Sequence, residues 1–227
     1  SRTLFPIDEF GSINFNNVIN FNNLFPSEGG NDFGMTFSCD NSLYVTSVAT
    51  NTLYQLGLDG SSVSIGSLGQ NISAIAAIGN PTKLYGLGNG QFENGGTDSP
   101  NLYSIDIDSG LATLIGPLGD LVDPYQQGGM AFDSEGNLWA ITDRSMINNQ
   151  PSQILQIDVD TGLATPISTT SEIGFESLAI SSPTSCENDG RADRDDPRIP
   201  TLSLAGQLLS VLVLMFTGLV ILRRRTS

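Results

Sequence analysis

The feature that most constrains the fold of this chain is an internal repeat with a spacing close to fifty residues. One segment recurs with aligned starts at Leu53, Leu102 and Ile154, and a diverged copy over residues 3–15 starts at Leu4. Each copy has two alternating apolar segments that flank a turn rich in Asp, Gly, Ser or Thr, which is the pattern of a β-hairpin. Such a period predicts one small unit built several times.

A second strand–turn–strand element lies between these hairpins. Its copies cover residues 34–47, 74–88 and 129–143, and a truncated copy covers 176–180. Each period therefore supplies four short strands, and four-stranded units of this size are typical of β-propeller blades. We predict an all-β fold, a β-propeller of about four four-stranded blades over residues 1–182, whose two ends share one blade. A fragment of a larger propeller is the alternative.

The C-terminal end of the chain has the composition of a membrane segment. The run 202–222 is apolar and uncharged, and Arg223, Arg224 and Arg225 follow it directly. About 20 apolar residues cross a hydrocarbon core, and flanking arginines favour the cytoplasmic side. We predict one transmembrane helix over 202–222, with the arginines as a membrane stop and the repeat domain on the outer side. Residues 183–198 are predicted to form a disordered, polar, acidic linker.

A short motif stands immediately before this predicted helix. It consists of Ile199, Pro200, Thr201 and Leu202. Together with the helix and the arginine cluster, residues 199–227 resemble the IPTL-CTERM sorting signal of Gram-negative bacteria, a relative of PEP-CTERM tails. Ala205 and Gly206 stand where many members carry a Trp-Gly pair. The resemblance implies processing by an exosortase-type membrane protease, and an exported protein with a single-pass inner-membrane tether that is then retained at the cell surface or secreted.

The repeats carry a second resemblance. The phrases DIDSGLATLIGPLG and AFDSEGNLWAITD are similar to those of secreted bacterial propellers and of the NHL and SMP-30-like propeller superfamilies. This resemblance covers residues 1–181. It implies a fold and not a function, because propellers carry many unrelated activities.

Charge and composition exclude several classes of partner. The formal net charge is −15, and residues 1–185 hold only three basic side chains, Arg2, Lys83 and Arg144. Such a surface repels phosphate backbones, so we predict no nucleic-acid partner.

The chain has no histidine, which removes the commonest general base and transition-metal ligand. Because the chain starts at Ser1, we expect either that an export signal has been removed or that the sequence is a piece of a longer protein.

Two cysteines, Cys39 and Cys186, lie far apart in the sequence. An envelope location would permit a disulfide between them. Two buried free thiols fit the sequence equally well.

Acidic side chains are the remaining candidates for chemistry. Asp106 and Asp108 occupy the same repeat positions as Asp158 and Asp160. Because a turn-forming residue should follow a repeat and a catalytic residue should break it, we predict that these aspartates form turns.

The linker contains the candidate metal ligands Asp189, Asp193 and Asp195. Their alternation around a glycine has some similarity to a calcium loop, but the fixed ligand positions and the terminal glutamate of an EF-hand are missing. We therefore predict a solvated spacer and no cofactor, with calcium as the alternative.

Aromatic residues also recur at matching repeat positions. Tyr44, Tyr85 and Trp139 stand at one position of the second strand in three blades. Matched aromatics of this kind are predicted to belong to the blade core. A carbohydrate-binding platform is the alternative.

Three functional hypotheses follow. The leading one is an exported envelope or surface protein, not an enzyme, whose propeller binds a glycan, a matrix polymer or another envelope protein. The second is a calcium-dependent lactonase or esterase that uses channel-facing carboxylates such as Asp143 or Glu176. The third is a structural spacer without a ligand. The predicted partners of the tail are the cytoplasmic membrane and the sorting protease.

Overall fold

The structure is a computed structural model that describes residues 3–4, 18–20, 33–57, 59, 61–90 and 100–180. All of these residues lie in the first of two units, Ser1–Gly190. The predicted linker, the sorting motif, the transmembrane helix and the arginine cluster lie outside the described residues.

Two short strands pair near the start of the chain, β1 (Thr3–Leu4) with β2 (Ile19–Asn20). Of the diverged hairpin predicted within residues 3–15, the structure describes only β1, and residues 5–15 lie outside the described residues. The described partner of β1 lies in the following Asn- and Phe-rich stretch. The connection between the two strands is therefore longer than a hairpin turn.

Three four-stranded antiparallel sheets follow, each made of consecutive strands. We call them the first, second and third blade. The first blade is β3 (Phe33–Phe37), β4 (Leu43–Ser47), β5 (Thr52–Leu56) and β6 (Ser62–Ser67). The second is β7 (Ile72–Ile78), β8 (Lys83–Gly88), β9 (Asn101–Ile105) and β10 (Ala112–Pro117). The third is β11 (Gln127–Phe132), β12 (Leu138–Arg144), β13 (Gln150–Ile157) and β14 (Ala164–Thr169), with the short helix α1 (Ser145–Asn148) between β12 and β13. These sheets confirm the predicted strand order for three blades.

The first strand of each blade is the innermost one. A Cβ placed on Gly34 of β3 would lie 2.9 Å from the Cα of Ala74 in β7. A Cβ placed on Gly129 of β11 would lie 2.5 Å from the backbone nitrogen of Leu178. The backbones of neighbouring inner segments therefore touch, and residues 176–180 lie beside β11.

Apolar side chains from facing blades form the core. One cluster fills the space between the first and second blades, and a larger one fills the space between the second and third. Their fully buried members include Leu53, Leu68, Ile72, Leu87, Leu102, Leu118, Tyr125, Leu138 and Leu155. Since one sheet cannot cover both of its own faces, the blades stabilise each other by mutual burial.

A repeated contact joins one blade to the next. The turn between the third and fourth strands of a blade packs on the fourth strand of the preceding blade at a glycine. A Cβ on Gly66 would lie 2.0 Å from the carbonyl oxygen of Ser109, and one on Gly116 would lie 2.1 Å from that of Thr161. Only glycine permits this approach of two backbones.

A backbone hydrogen bond completes each of these contacts. Ala112 N–H donates to the carbonyl oxygen of Leu68 over 3.1 Å, and Ala164 N–H donates to that of Leu118 over 2.9 Å. We call the glycine contact and this hydrogen bond together the blade latch. It occurs between the first and second blades and again between the second and third.

The antiparallel order fixes which loops share an end of the molecule. Within each blade, the turn between the first and second strands and the turn between the third and fourth strands lie at the same end. We call this end the acidic rim, because its turns contain eight Asp and Glu residues. The loops after the second and fourth strands lie at the opposite end, the loop rim. The longer connections that follow β8 and β12 both come after a second strand, so both start at the loop rim.

Candidate functional site

The best candidate for a binding site is a central cavity of about 280 Å³ where four inner segments meet. Its lining comes from β3, β7, β11 and residues 178–180. The lining residues are Met35, Thr36, Phe37, Ala76, Ala77, Met130, Ala131, Phe132, Leu178, Ala179 and Ile180. The volume lies just below the range of about 300–1,000 Å³ that is usual for small-molecule sites.

The mouth of this cavity exposes apolar side chains. Met35 is 48% exposed and Phe37 is 55% exposed, although both belong to an inner strand. Inner strands end at the acidic rim, so the cavity lies at that end of the channel. Large side chains that stay exposed beside a concavity are a common sign of a binding surface.

Carboxylates stand at the same end of the blades as this mouth, some in the inner turns and others in the outer turns, and we call this set the ring. Eight of them stand in the turns of the acidic rim, where the described residues contain one basic side chain, Lys83. The eight are Asp40, Asp59, Asp106, Asp108, Asp133, Glu135, Asp158 and Asp160. The sequence placed each of them in a turn, but the strand order brings them together at one end.

The predicted turn role of the repeated aspartates is confirmed. Asp106 Oδ1 accepts hydrogen bonds from the backbone nitrogens of Asp108 and Ser109 and from Ser109 Oγ. Asp158 Oδ1 accepts from the backbone nitrogens of Asp160 and Thr161. These bonds stabilise the charged form, the backbone bond from Ser109 or Thr161 most strongly, and lower the pKa of both aspartates.

Asp133 closes the inner turn of the third blade. Its Oδ2 accepts hydrogen bonds from Trp139 Nε1 over 2.8 Å and from Asn137 Nδ2 over 2.9 Å, while its Oδ1 accepts from the backbone nitrogens of Glu135 and Asn137. These bonds, above all the one from Trp139, lower the pKa of Asp133 to about 2. The carboxylate therefore stays ionised in any mildly acidic medium.

Two of the three matched aromatic residues belong to the core, as predicted. Tyr44 is buried in the cluster between the first two blades. Tyr85 packs edge-to-face on Phe132, with ring centroids 5.6 Å apart. Burial raises the pKa of both hydroxyls. Asp40 of the same blade and, less strongly, Asp108 of the next blade raise the pKa of Tyr44 further, and Asp160 of the next blade does so for Tyr85. Trp139 is half-buried and donates to its own blade's Asp133, so the three residues do not form a platform.

The carboxylates proposed for catalysis lie elsewhere. Asp143 stands at the end of the second strand of the third blade and is 1% exposed, and it accepts hydrogen bonds from the backbone nitrogen and Oγ of Ser145, both over 2.9 Å. Glu176 is exposed. Neither residue lines the central cavity. Asp143 lies one strand away from the channel, because the first strand of each blade lines it, whereas Glu176 begins the inner segment 176–180 and its role as a channel carboxylate stays a prediction.

Asn89 is the most unusual polar residue at the loop rim. It continues β8 at the repeat position that Asp143 occupies in the third blade. The side chain is fully buried, and neither its amide nitrogen nor its oxygen has a hydrogen-bond partner. Tyr125 lies close by, because its hydroxyl donates to the carbonyl oxygen of Gly88 over 2.8 Å. A buried amide of this kind is a candidate ligand for a water molecule or a cation.

Further sequence-based candidates have these positions. Cys39 is disulfide-bonded, and Cys186, the other cysteine of the chain, lies outside the described residues. Asp189, Asp193 and Asp195 lie outside them as well. The described part of the chain contains no group of three or more Cys, Asp or Glu that could hold a metal ion. It also contains no helix both long and apolar enough to cross a bilayer.

The chain is similar to several solved structures at low sequence identity. It matches no protein-family model and no curated protein. It is similar to the virginiamycin B lyase of Staphylococcus aureus, at 18% identity and a TM-score of 0.43 over 71% of this chain and 47% of the lyase. It is also similar to regucalcin, a calcium-binding protein of Agrobacterium tumefaciens, at 20% identity and a TM-score of 0.43 over 60% of this chain and 42% of regucalcin. The chain therefore spans about half the length of the solved structures that it matches.

The similar structures also contradict one prediction. A luciferin-regenerating enzyme matches at 17% identity, with a TM-score of 0.43 over 66% of this chain and 49% of that enzyme. With a lyase and this enzyme among the similar structures, the expectation that the chain is not an enzyme, which rested on the tail, the acidic repeats and the absence of a catalytic cluster, is withdrawn. Identities this low transfer no activity to this chain.

The sequence did not predict the exposed mouth or the ring of carboxylates. The alternation of Met35 and Phe37 in β3 matches that of Met130 and Phe132 in β11, which are both 5% exposed in the cluster between the second and third blades. The pattern therefore indicates core positions, and only the fold shows that Met35 and Phe37 are exposed.

Proposed function

We propose that this chain is an exported cell-envelope protein whose propeller is a binding module, with the mouth of the central cavity as its binding site. The observation that supports this most directly is the exposure of Met35 and Phe37 at the point where the inner strands converge. A solvent-filled apolar concavity gains free energy when a ligand removes its surface from water.

Export is the second part of the proposal. The disulfide at Cys39 supports it, because such bonds persist in oxidising compartments outside the cytoplasm. The predicted tail adds the membrane tether, and the motif at 199–202 adds processing by an exosortase-type protease. The mature protein then remains at the surface or is released.

Two measurements on a Gram-negative host test export and processing. External protease should digest the repeat domain in intact spheroplasts, and mass spectrometry should find mature chains that end near residues 199–202. A repeat domain that is digested only after lysis would exclude export. Mature protein that ends at Ser227 throughout would exclude processing.

A ligand screen tests the binding module. Glycans, matrix polymers and envelope peptides are titrated against the full chain and against a Met35→Ser/Phe37→Ser variant. Leu121→Ser is the matched control, because Leu121 is 70% exposed but lies at the loop rim. A ligand of the mouth should lose affinity with the double variant and keep it with the control. No ligand for the wild type would favour a structural spacer.

A calcium-dependent propeller hydrolase is the second candidate. The observation that favours it is the buried, unpaired amide of Asn89, together with the Asp143 carboxylate at the equivalent strand end. Calcium takes several oxygen ligands of this kind. If the site exists, millimolar calcium should raise the melting temperature of the wild type but not of Asn89→Leu. An unchanged melting temperature in the wild type would exclude a calcium site at this position.

A further inference from the structure

We infer that the mouth of the central cavity takes a basic peptide segment in which a bulky apolar side chain stands beside arginines or lysines. This inference rests on the proposed function and adds the chemical class of the partner.

The cavity supplies an apolar binding surface. A volume of about 280 Å³ accepts one or two large side chains and not an entire folded element. Its walls include Met35, Met130 and Ile180, and methionine adapts to ligands of different shape. The partner should therefore insert a single apolar anchor such as Leu or Phe.

The acidic rim supplies negative charge at the same end of the blades. Hydrogen bonds within the turns lower the pKa of Asp40, Asp106, Asp133 and Asp158, so these groups remain ionised. In the part of the chain that the structure describes, the single ion pair joins Arg144 to Asp123 at the loop rim. No described basic side chain therefore neutralises the rim by a direct ion pair.

The combination selects among partners. Anionic lipid headgroups and nucleic acids are repelled by this ring. A neutral glycan would gain nothing from it. A peptide with positive charges around an apolar anchor satisfies both parts of the surface, since the ring steers it and the cavity holds it.

The turn geometry allows the ring to be weakened without damage to the fold. Asp108, Glu135 and Asp160 are exposed, and each supplies only its backbone nitrogen to the hydrogen bonds of its turn. The ring variant is Asp108→Asn/Glu135→Gln/Asp160→Asn. The matched control, Asp120→Asn/Glu172→Gln/Glu176→Gln, removes the same charge from exposed residues that belong to the loop rim by strand order.

The experiment uses the full chain in zwitterionic lipid nanodiscs and a fluorescein-labelled peptide, Arg-Arg-Leu-Phe-Arg-Arg. We expect saturable binding that weakens at least fivefold in the ring variant and less than twofold in the matched control. Binding should also weaken when salt rises from 50 to 300 mM, because exposed charges are screened. Met35→Ser/Phe37→Ser should remove the preference for this peptide over Arg-Arg-Gly-Gly-Arg-Arg. Melting curves establish that every variant is folded.

Three results would overturn the inference. Equal affinity for the two arginine peptides would mean unspecific attraction to a soluble acidic surface. Equal loss in the ring variant and the matched control would place the binding elsewhere. No peptide binding, combined with a mouth-dependent ligand of another class from the screen, would reject the inference and leave the proposed function standing.

Discussion

The two blade latches differ from the outer edge of the third blade, although both regions belong to the same sequence repeat. The repeat keeps the latch residues in the first two blades and loses them in the third. Gly66 and Gly116 receive the turn of the following blade, but the register places Ser168 at the same position of the third blade. Leu68 and Leu118 are fully buried at the latch, and Thr170 takes their place. The third blade therefore lacks both features that the latch requires.

A different set of contacts is found at that edge. Ser152 Oγ bonds both the backbone nitrogen and the carbonyl oxygen of Phe175. The bond from Thr170 N–H to the carbonyl oxygen of Ser152, in contrast, has equivalents at Leu68 and Leu118 in the other two blades. The edge is held by side-chain hydrogen bonds to a crossing segment, while the latches combine backbone contact with apolar burial. We expect the latches to contribute more to stability, because burial of a leucine outweighs a partly exposed hydrogen bond.

The largest effect should come from Leu118→Ala. Leu118 is 0% exposed in the cluster between the second and third blades, so we expect the free energy of unfolding to fall by about 2–5 kcal/mol. Urea unfolding, followed by the fluorescence of the single tryptophan, measures this. Thr170→Ala at the edge should cost about 1 kcal/mol. Equal losses would mean that the latch is no stronger than the edge.

The next largest difference in stability should come from alanine substitutions at Gly116 in the latch and at the equivalent residue of the third-blade edge. Gly116→Ala places a Cβ 2.1 Å from a backbone oxygen, and neither backbone can move without breaking the latch. We expect a loss of about 1–3 kcal/mol. Ser168→Ala, at the equivalent position of the edge, should change stability by less than about 0.5 kcal/mol. A tolerated alanine at Gly116 would show that the latch is not close-packed.

Two glycines with nearly the same positive φ, one inside the latch and one outside it, separate the effect of the latch contact from the effect of the backbone conformation. Gly162 at the latch has φ +81°, and Gly174 near the edge has φ +85° with nothing within 4 Å. Gly174→Ala should lower the free energy of unfolding by about 1–2 kcal/mol, which is the cost of placing alanine in the left-handed conformation. Gly162→Ala should cost more, because its Cβ would also lie 2.6 Å from the carbonyl oxygen of Gly116. Equal melting temperatures would contradict the latch.

The smallest effect should be a dependence on acid. The pKa of Asp133 in the folded protein, about 2, lies below its unfolded value near 4. Its contribution to stability is therefore complete above about pH 4 and is lost as the pH falls towards 2. In Trp139→Phe, which removes the main hydrogen bond, the melting temperature should fall less between pH 4 and 2 than in the wild type. An equal fall of the melting temperature in the variant and the wild type would mean that the hydrogen bond from Trp139 does not lower the pKa of Asp133.

The repeat predicted the local structure well because hairpins depend on residues close in sequence. The strand order of three blades and the turn role of Asp106 and Asp158 followed from alternation and turn chemistry alone. The latch could not be predicted in this way. Gly66 was predicted as part of a strand, and only the fold shows that it contacts the carbonyl oxygen of Ser109.

The candidate site was less predictable for a related reason. Each acidic turn residue had a local explanation, so nothing in a single turn indicated a shared ring. The misplacement of Asp143 came from treating the ends of second strands as channel-facing. The fold shows that the first strand of each blade is innermost. Apolar residues of the first strands therefore lie at the mouth, and Asp143, on a second strand, lies one strand away from it.

The latch also bears on how the domain folds. Its hydrogen bonds join residues roughly 45 apart in the chain, whereas the segments that meet across the cavity, β3 and residues 176–180, are roughly 140 apart, and each doubling of a loop adds about 0.6 kcal/mol to the entropy of closing it. Successive blades can therefore dock one after another as soon as each hairpin pair exists. We expect the cavity to be completed last, as the slowest step of folding.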